Sequence, residues 1–327
     1  MSYPQILPKS RFSEDKKHSV TEEFTDITIK CGSFNLNSEL GSYYIDMREA
    51  FRQYDAGIFG DFDKNGVPMV GWGKEAKYSA VNIAQYGFIL HTCWLENHLE
   101  EYLNVMHACL NKLIENESHE GDAIFWREKY QSDRYNVPKN WASAMSLGEC
   151  LSFYLRMYQI TNDESLLEKS HKIFNGFEVS TLNNGVSYID NEGDLWLEEY
   201  PSNPASCVLN GFIYAVFGII DYYRVTGNII AKEKLTACEK TLVKNISLYD
   251  AGYWSYYDLQ YLELVKYYYQ KNVHIPQLEA LYKIFNNDIF ILLAQKWRKT
   301  LSPFNFLIVK IMYRIWPRWQ KIKKMFK

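Results

Sequence analysis

Closely spaced cysteines are missing from this chain: Cys31, Cys93, Cys109, Cys150, Cys207 and Cys238 stand far apart and form no CxxC pair. That excludes a zinc ribbon or a dense disulfide framework and fits a reducing compartment. The seven histidines, His18, His91, His98, His107, His119, His171 and His274, include no HExxH or HxH pair, so no metal site is expected. G-x-S-x-G, the P-loop and GxGxxG are absent as well, which removes the grounds for a serine hydrolase, an NTPase or a dinucleotide enzyme, and no cofactor is expected. There is no apolar run of about 18 residues and no charged-then-apolar N-terminal segment, so the chain reads as cytoplasmic.

What is present is apolar and aromatic. With 327 residues and 47% hydrophobic content, the chain can bury a large core. Charge is unevenly placed: ten of the 36 Lys and Arg lie between Lys296 and Lys327 without any Asp or Glu, so the remaining 26 face 39 acidic residues, a balance of −13. Body and tail therefore meet different partners. The tail, SPFNFLIVKIMYRIWPRWQKIKKMFK, mixes apolar and basic patches and carries Trp316 and Trp319. Such a segment is expected to lie on an anionic membrane surface, the alternative being a last helix packed on the body. No recognition module accompanies its charge, so nucleic acid is not expected.

Residues 1–75 read as an extended arm. TDITIKCGSFNL is a candidate edge strand or hairpin, followed by a stretch rich in Gly and aromatics. Asp61-Phe62-Asp63-Lys64-Asn65-Gly66 matches half of a calcium loop, but position twelve is Trp72 where a bidentate Glu is needed, so a turn is the better reading.

From Tyr78 the pattern is helix after helix. SAVNIAQYGFILHTCWLEN, NWASAMSLGECLSFYLRMY, SCVLNGFIYAVFGIIDYY and LQYLELVKYYY are nearly uncharged and are expected to be buried. HLEEYLNVMHACLNKLIENE, DESLLEKSHKIFNGF, AKEKLTACEKTLVKNI and PQLEALYKIFNNDIFILLAQKW each show one charged face. Buried helices alternating with half-buried ones predict a mainly α fold, an (α/α) toroid or barrel of helical hairpins over 76–295. Tyr158-Gln-Ile-Thr161 and Tyr223-Arg-Val-Thr226 both end an inner helix, an internal echo of one hairpin plus a loop. Gly227 suits a C-terminal cap, and Asp163 and Ser206 suit N-caps. In such an array all inner helices run the same way. The loops before them, with Lys139-Asn140-Trp141, Glu199-Tyr200 and Tyr256-Tyr257-Asp258, should therefore share one rim.

The stretch 195–214, LWLEEYPSNPASCVLNGFIY, runs from an acidic, aromatic loop stiffened by Pro201 and Pro204 into the most apolar helix. A carboxyl and a phenol at the mouth of a buried helix are placed as acid–base groups usually are. Equally, Glu198 and Glu199 could cap a neighbouring helix and Tyr200 be a rim aromatic.

This stretch, with GIIDYY, SLYDAGYWSYYDL, HIPQL, NWASAMSLGECLSFYLRMYQIT, NIAQYGF and DKNGVPMVGWG, resembles the C-terminal domain of the D-glucuronyl C5-epimerases over about residues 43 to 295. The resemblance implies inversion of C5 in uronate residues of an acidic polysaccharide; compactness and the missing signal-like segment set the expectation of a bacterial setting, on a nascent capsule or surface glycan near the cytoplasmic membrane. It implies acid–base roles for Glu199 and Tyr200 in the family's EEYP element, and for Tyr257 in its YDL element. A third family tyrosine stands four residues before the His-Ile pair; here that position is Gln270 and Tyr269 is one place earlier, which implies one extra residue. A substrate contact is implied for Asn210, and Glu198, Asn140, Trp141, Lys139 and Gln85 are further candidate substrate contacts. His274 lies in the HIxQL element with a capping, packing or catalytic role.

Two departures stand out. The family's GSGT run is Gly252-Tyr253-Trp254-Ser255, and the Arg-His after YDL is Gln260-Tyr261, so a bulkier approach and a missing cation are expected. A tyrosine base, with an ordinary pKa of about 10, needs cations or donors nearby; Lys139, Arg134, Arg127 and Arg156 are the candidates. Two other readings stay open: a uronate lyase, which shares the first step, and a catalytically silent toroid that binds an acidic glycan or scaffolds a synthase. A homodimer is compatible with the sequence.

Overall fold

The computed structural model describes residues 27–312 except Ala56 and Ile58. The expectations for 1–26, and for the tail beyond 312 with Trp316 and Trp319, lie outside the described residues.

The fold is mainly α. Strands β1 (Lys30–Cys31) and β2 (Ile45–Asp46) pair antiparallel, and a short helix α1 (Phe51–Asp55) follows. Four helical hairpins come next among the described residues. They are α2 (Ala80–Asn97) with α3 (Glu100–Glu115), α4 (Ala144–Thr161) with α5 (Glu164–Asn175), and α6 (Leu209–Thr226) with α7 (Ile229–Asn245). The fourth is a composite helix, α8 (Tyr267–Tyr269), a π-helical turn (Gln270–His274) and α9 (Ile275–Phe285), with α10 (Asp288–Lys299). Two-stranded ribbons sit in the loops before the inner helices: β3 (Ser118–Glu120) with β4 (Ala123–Phe125), β5 (Arg127–Glu128) with β6 (Trp141–Ala142), and β7 (Ser187–Ile189) with β8 (Leu195–Leu197).

All four inner helices stop in the same way. His98, Asn162, Gly227 and Asn286 take the left-handed conformation, and their amides return to the carbonyls of Trp94, Tyr158, Tyr223 and Tyr282 at 2.7–2.8 Å. This αL cap closes each inner helix and hands the chain directly to its outer partner. Asp163 caps α5, its carboxylate accepting from the Ser165 amide at 3.0 Å. On α4 every residue from Ala144 to Met157 is buried, and on α6 every one from Leu209 to Tyr222. The two helices meet backbone to backbone: a Cβ on Gly148 would stand 2.4 Å from the Tyr214 carbonyl oxygen.

The arm fills the gap between α9 and α2. Ile29 donates its amide to Asn272 Oδ1 (2.9 Å), Tyr268 donates to Gln53 Oε1 (2.9 Å), and Tyr43 stacks on Phe88 with ring centroids 3.8 Å apart. Beneath it, at the ends of α4 and α6, Arg156 donates to Asp221 Oδ2 (2.5 Å) with both side chains at 0% exposure, while Tyr44 and Arg224 bond Asp221 Oδ1.

The fourth inner helix departs from the sequence reading. LQYLELVKYYY is not an inner helix: residues 256–264 fold back on themselves, with the Tyr257 amide donating to the Glu263 carbonyl at 2.7 Å. The segment read as one outer helix from Pro276 is split by two adjacent asparagines. Asn286 ends α9 in the αL conformation, and Asn287 starts α10 by accepting from the Ile289 amide.

Candidate active site

Two of the three loops are tied to one rim by the orphan amides of the inner helices. The first amide of α4, on Ala144, donates to the Glu198 carbonyl (2.9 Å), and that of α6, on Leu209, to the Tyr257 carbonyl (3.2 Å). Helix N-terminal amides need such acceptors, so the EEYP and YDL elements are fixed where the inner helices begin.

There the structure brings Glu199, Tyr200, Tyr257 and Tyr269 together. Tyr257 donates its hydroxyl to Glu199 Oε1 at 3.2 Å, and its ring meets Tyr269 edge-on with centroids 5.6 Å apart. Tyr200 lies between Tyr135 and Trp141, at ring distances of 4.6 and 5.1 Å. Glu199 is buried, and the three phenols are half-buried. Burial pushes the Glu199 carboxyl up to about 7, with hydrogen bonds from Tyr257 and Tyr200 holding it down in part. The phenols move up as well: Tyr200 through the Glu199 charge and then burial, Tyr257 and Tyr269 through burial and then Glu199. Of the four groups, Glu199 is the one whose pKa lies near neutrality, and Tyr257 is hydrogen-bonded to it.

Tyr269 reaches the cluster through the π-helical turn that follows it. A single widened turn admits one additional residue into a helix. Gln270 is turned inward, where it accepts from the Ser255 amide (2.8 Å) and donates to Thr300 Oγ1 (2.8 Å). His274 is fully buried with Nδ1 3.0 Å from Ser255 Oγ, and burial lowers its pKa to about 3, so it is a neutral packing residue.

Other residues stand behind the cluster. Glu198 is a correction: its carboxylate is 1% exposed and is consumed by the Ser206 amide and hydroxyl and the Cys207 amide at 2.6–3.0 Å, so it ties the loop and does not face a ligand. For the same reason Ser206 is not the N-cap of α6; that position is Val208. Trp141 is 3% exposed, its indole donating to the Tyr130 carbonyl, and it backs Tyr200. Asn210 is buried in the first turn of α6, where its Oδ1 has no hydrogen-bond partner among the described residues. Gln85 donates to Glu149 Oε1 at 2.9 Å deeper between α2 and α4. Lys139 and Asn140 stay exposed, and the Asn140 amide is bonded to the Glu128 carbonyl.

The four candidate cations separate clearly. Arg127 is held by Glu120 and the Asn184 carbonyl, and Arg156 belongs to the buried pair at the far end of the inner helices. Arg134 stands at the site: its guanidinium lies 5.2 Å from the Tyr257 ring centre and bonds Asp258 (2.7 Å) and Glu263 (2.6 Å). A cation is therefore present although Gln260 follows the YDL element. The bulk expected from Trp254 is absent from the site too, because its fully buried indole donates to the Val265 carbonyl at 2.8 Å.

Two residues escaped the sequence reading, Glu149 and Gly211, and a third, Arg134, was named without being singled out. Arg134 was one of four unranked cations, because only the fold shows which loop reaches Tyr257. Glu149 is fully buried with Oε2 unpartnered among the described residues, and burial raises its pKa well above the ordinary carboxyl range; a lone acid in the otherwise uncharged AMSLGECLSFYL was its signal. Gly211 lies under Glu199: a Cβ there would stand 2.4 Å from Oε2 and 2.5 Å from Glu199 Cβ. Gly211→Ala is expected to cut activity at least about tenfold and to lower the thermal midpoint, since overpacking against Glu199 Cβ costs about 1–3 kcal/mol, more than helix propensity returns, and displaces the carboxyl. Activity and thermal unfolding, measured on the same preparation, check this.

These features define a class: an array of helical hairpins carrying a carboxyl–phenol cluster on the rim where its inner helices begin. The chain belongs to the D-glucuronyl C5-epimerase C-terminus family, matching it over residues 119–299. It is 32% identical over 179 residues to an uncharacterized protein of Methanocaldococcus jannaschii, covering 54% of this chain and 58% of that one. It is 28% identical over 217 residues to the D-glucuronyl C5-epimerase of Caenorhabditis elegans, covering 61% of this chain and 35% of that protein. The chain thus spans from about a third to somewhat over half of these relatives. Among solved structures, it is similar to a family 76 glycoside hydrolase from a bovine Bacteroides thetaiotaomicron strain (TM-score 0.47, 15% identity, 74% of this chain and 52% of that one).

Proposed function

We propose that this chain inverts C5 of glucuronate-type residues within an acidic polysaccharide. The observation that carries the reading is the Tyr257–Glu199 hydrogen bond of 3.2 Å, made to a carboxyl that burial pushes up to about 7. The C5 hydrogen of a uronate is a very weak acid, so its removal needs a base, stabilisation of the enolate that forms, and a donor on the opposite face. Ionised Glu199 takes the Tyr257 proton as the phenol oxygen takes the C5 proton, and the electron pair moves into the substrate carboxyl as an enolate. Tyr200 or Tyr269 then gives its proton to C5 from the other face. Proton exchange with water restores Glu199 and the donor phenol. Arg134, beside Tyr257, offsets the negative charge that develops.

The test is incubation with unsulfated uronate polymers in deuterated water. Deuterium at C5 in chains of unchanged length supports the proposal. New ultraviolet absorbance from unsaturated ends would make the chain a lyase, and binding without either product would leave a glycan-binding toroid.

A further inference from the structure

The helix over 303–312 presents two unlike faces. Val309 is 3% exposed and joins Trp254, Leu264 and Val265 in a cluster against which Tyr257 and Tyr269 also pack. Phe306 meets Tyr267 edge-on at 4.9 Å, and Asn305 Nδ2 donates to the Thr300 carbonyl at 2.9 Å, so this face is anchored to the wall of the site. The opposite face is apolar and open: Phe304 is 70% exposed, Leu307 55% and Ile311 48%. Spacings of three and four residues put these side chains on one stripe. No acidic residue occurs from Lys296 to the end of the chain, where ten Lys and Arg do, six of them with Trp316 and Trp319 after Met312. Among the described residues no helix is long and apolar enough to cross a membrane.

We infer that this face is a docking surface for an anionic phospholipid bilayer. Apolar side chains entering the acyl boundary, with lysines and arginines drawn to acidic headgroups, are the two forces that hold an interfacial helix. A body of balance −13 is repelled by the same surface, so the chain meets it through this end alone. Because the anchored face of this helix buttresses Tyr257 and Tyr269, docking would set the catalytic rim beside the bilayer, where a membrane-held acidic glycan would be within reach. The inference itself stands without the proposed reaction.

The full chain is mixed with phosphatidylcholine vesicles, with or without phosphatidylglycerol, and floated on a density gradient; no turnover is needed, so a negative result is separable from a failed assay. Expected is binding to the phosphatidylglycerol vesicles only, abolished by high salt and weakened at least about tenfold in Phe304→Asp/Leu307→Asp. Phe304→Ser/Leu307→Ser should weaken it in the same direction without added charge, and both variants should keep the parent thermal midpoint. Absence of binding by the parent chain, or equal binding by both double variants, would overturn the inference. So would a dimer in solution that these variants dissociate, which would assign the face to a second copy.

Discussion

Glu199→Gln is expected to lower the rate of C5 proton exchange by about 10³-fold, within the 10²–10⁴ range of general acid–base groups. The amide fills the same space over Gly211 and can still accept from Tyr257, so the site keeps its shape. What it loses is the capacity to take a proton, and the phenols do not compensate because burial, the largest cause at Tyr257 and Tyr269 and the second at Tyr200, still raises them once the Glu199 charge is removed. The thermal midpoint should hold or rise, since the burial that lifts the carboxyl to about 7 penalises its charged form. Tyr257→Phe should produce a loss of the same order, because it removes the phenol that links Glu199 to the substrate. Exchange within about threefold of the parent in both variants would remove the pair from the mechanism.

The largest effect on stability is expected far from the site. Asp221→Asn should cost about 3–5 kcal/mol, read from the denaturant midpoint, because it leaves the guanidinium of Arg156 uncompensated in the core. Arg156 is 1% exposed and its Nε and Nη2 have no partner among the described residues, so Asp221 carries its neutralisation. The pair can be replaced with less damage than it can be broken. Asp221→Asn with Arg156→Met should recover much of the loss, while Arg224 keeps its bonds to Tyr44 and to the Asn37 and Glu39 carbonyls. A single variant as stable as the parent would show that water reaches Arg156.

Much of the hairpin array was legible because inner and outer helices differ so sharply in charge. SCVLNGFIYAVFGIIDYY lacks charge before Asp221, and that acid pairs with the one arginine of the preceding inner helix. The fourth inner helix was not legible, for a local reason. LQYLELVKYYY has helical periodicity, yet its first half folds back so that the Tyr257 carbonyl can accept the first amide of α6. That is a tertiary demand no window of sequence contains. Likewise Asn286-Asn287 is polar enough for an outer face, and only the αL cap shows that it separates two helices. At the site, the one-residue offset of Tyr269 was visible in the spacing and the widened turn after it was not. Glu198 and Glu199 are adjacent and chemically alike, but one is bonded to the loop at Ser206 and Cys207 and the other meets Tyr257. Alternation of direction along the chain separates such neighbours, and sequence type alone does not.

The measurement that bears most directly on the account is the pH dependence of deuterium incorporation at C5 of a uronate polymer. With Glu199 as the proton acceptor, the rate should climb as pH rises, with an apparent midpoint near the carboxyl's value of about 7. No incorporation at any pH, or a rate that is flat or falling through neutrality, would contradict it.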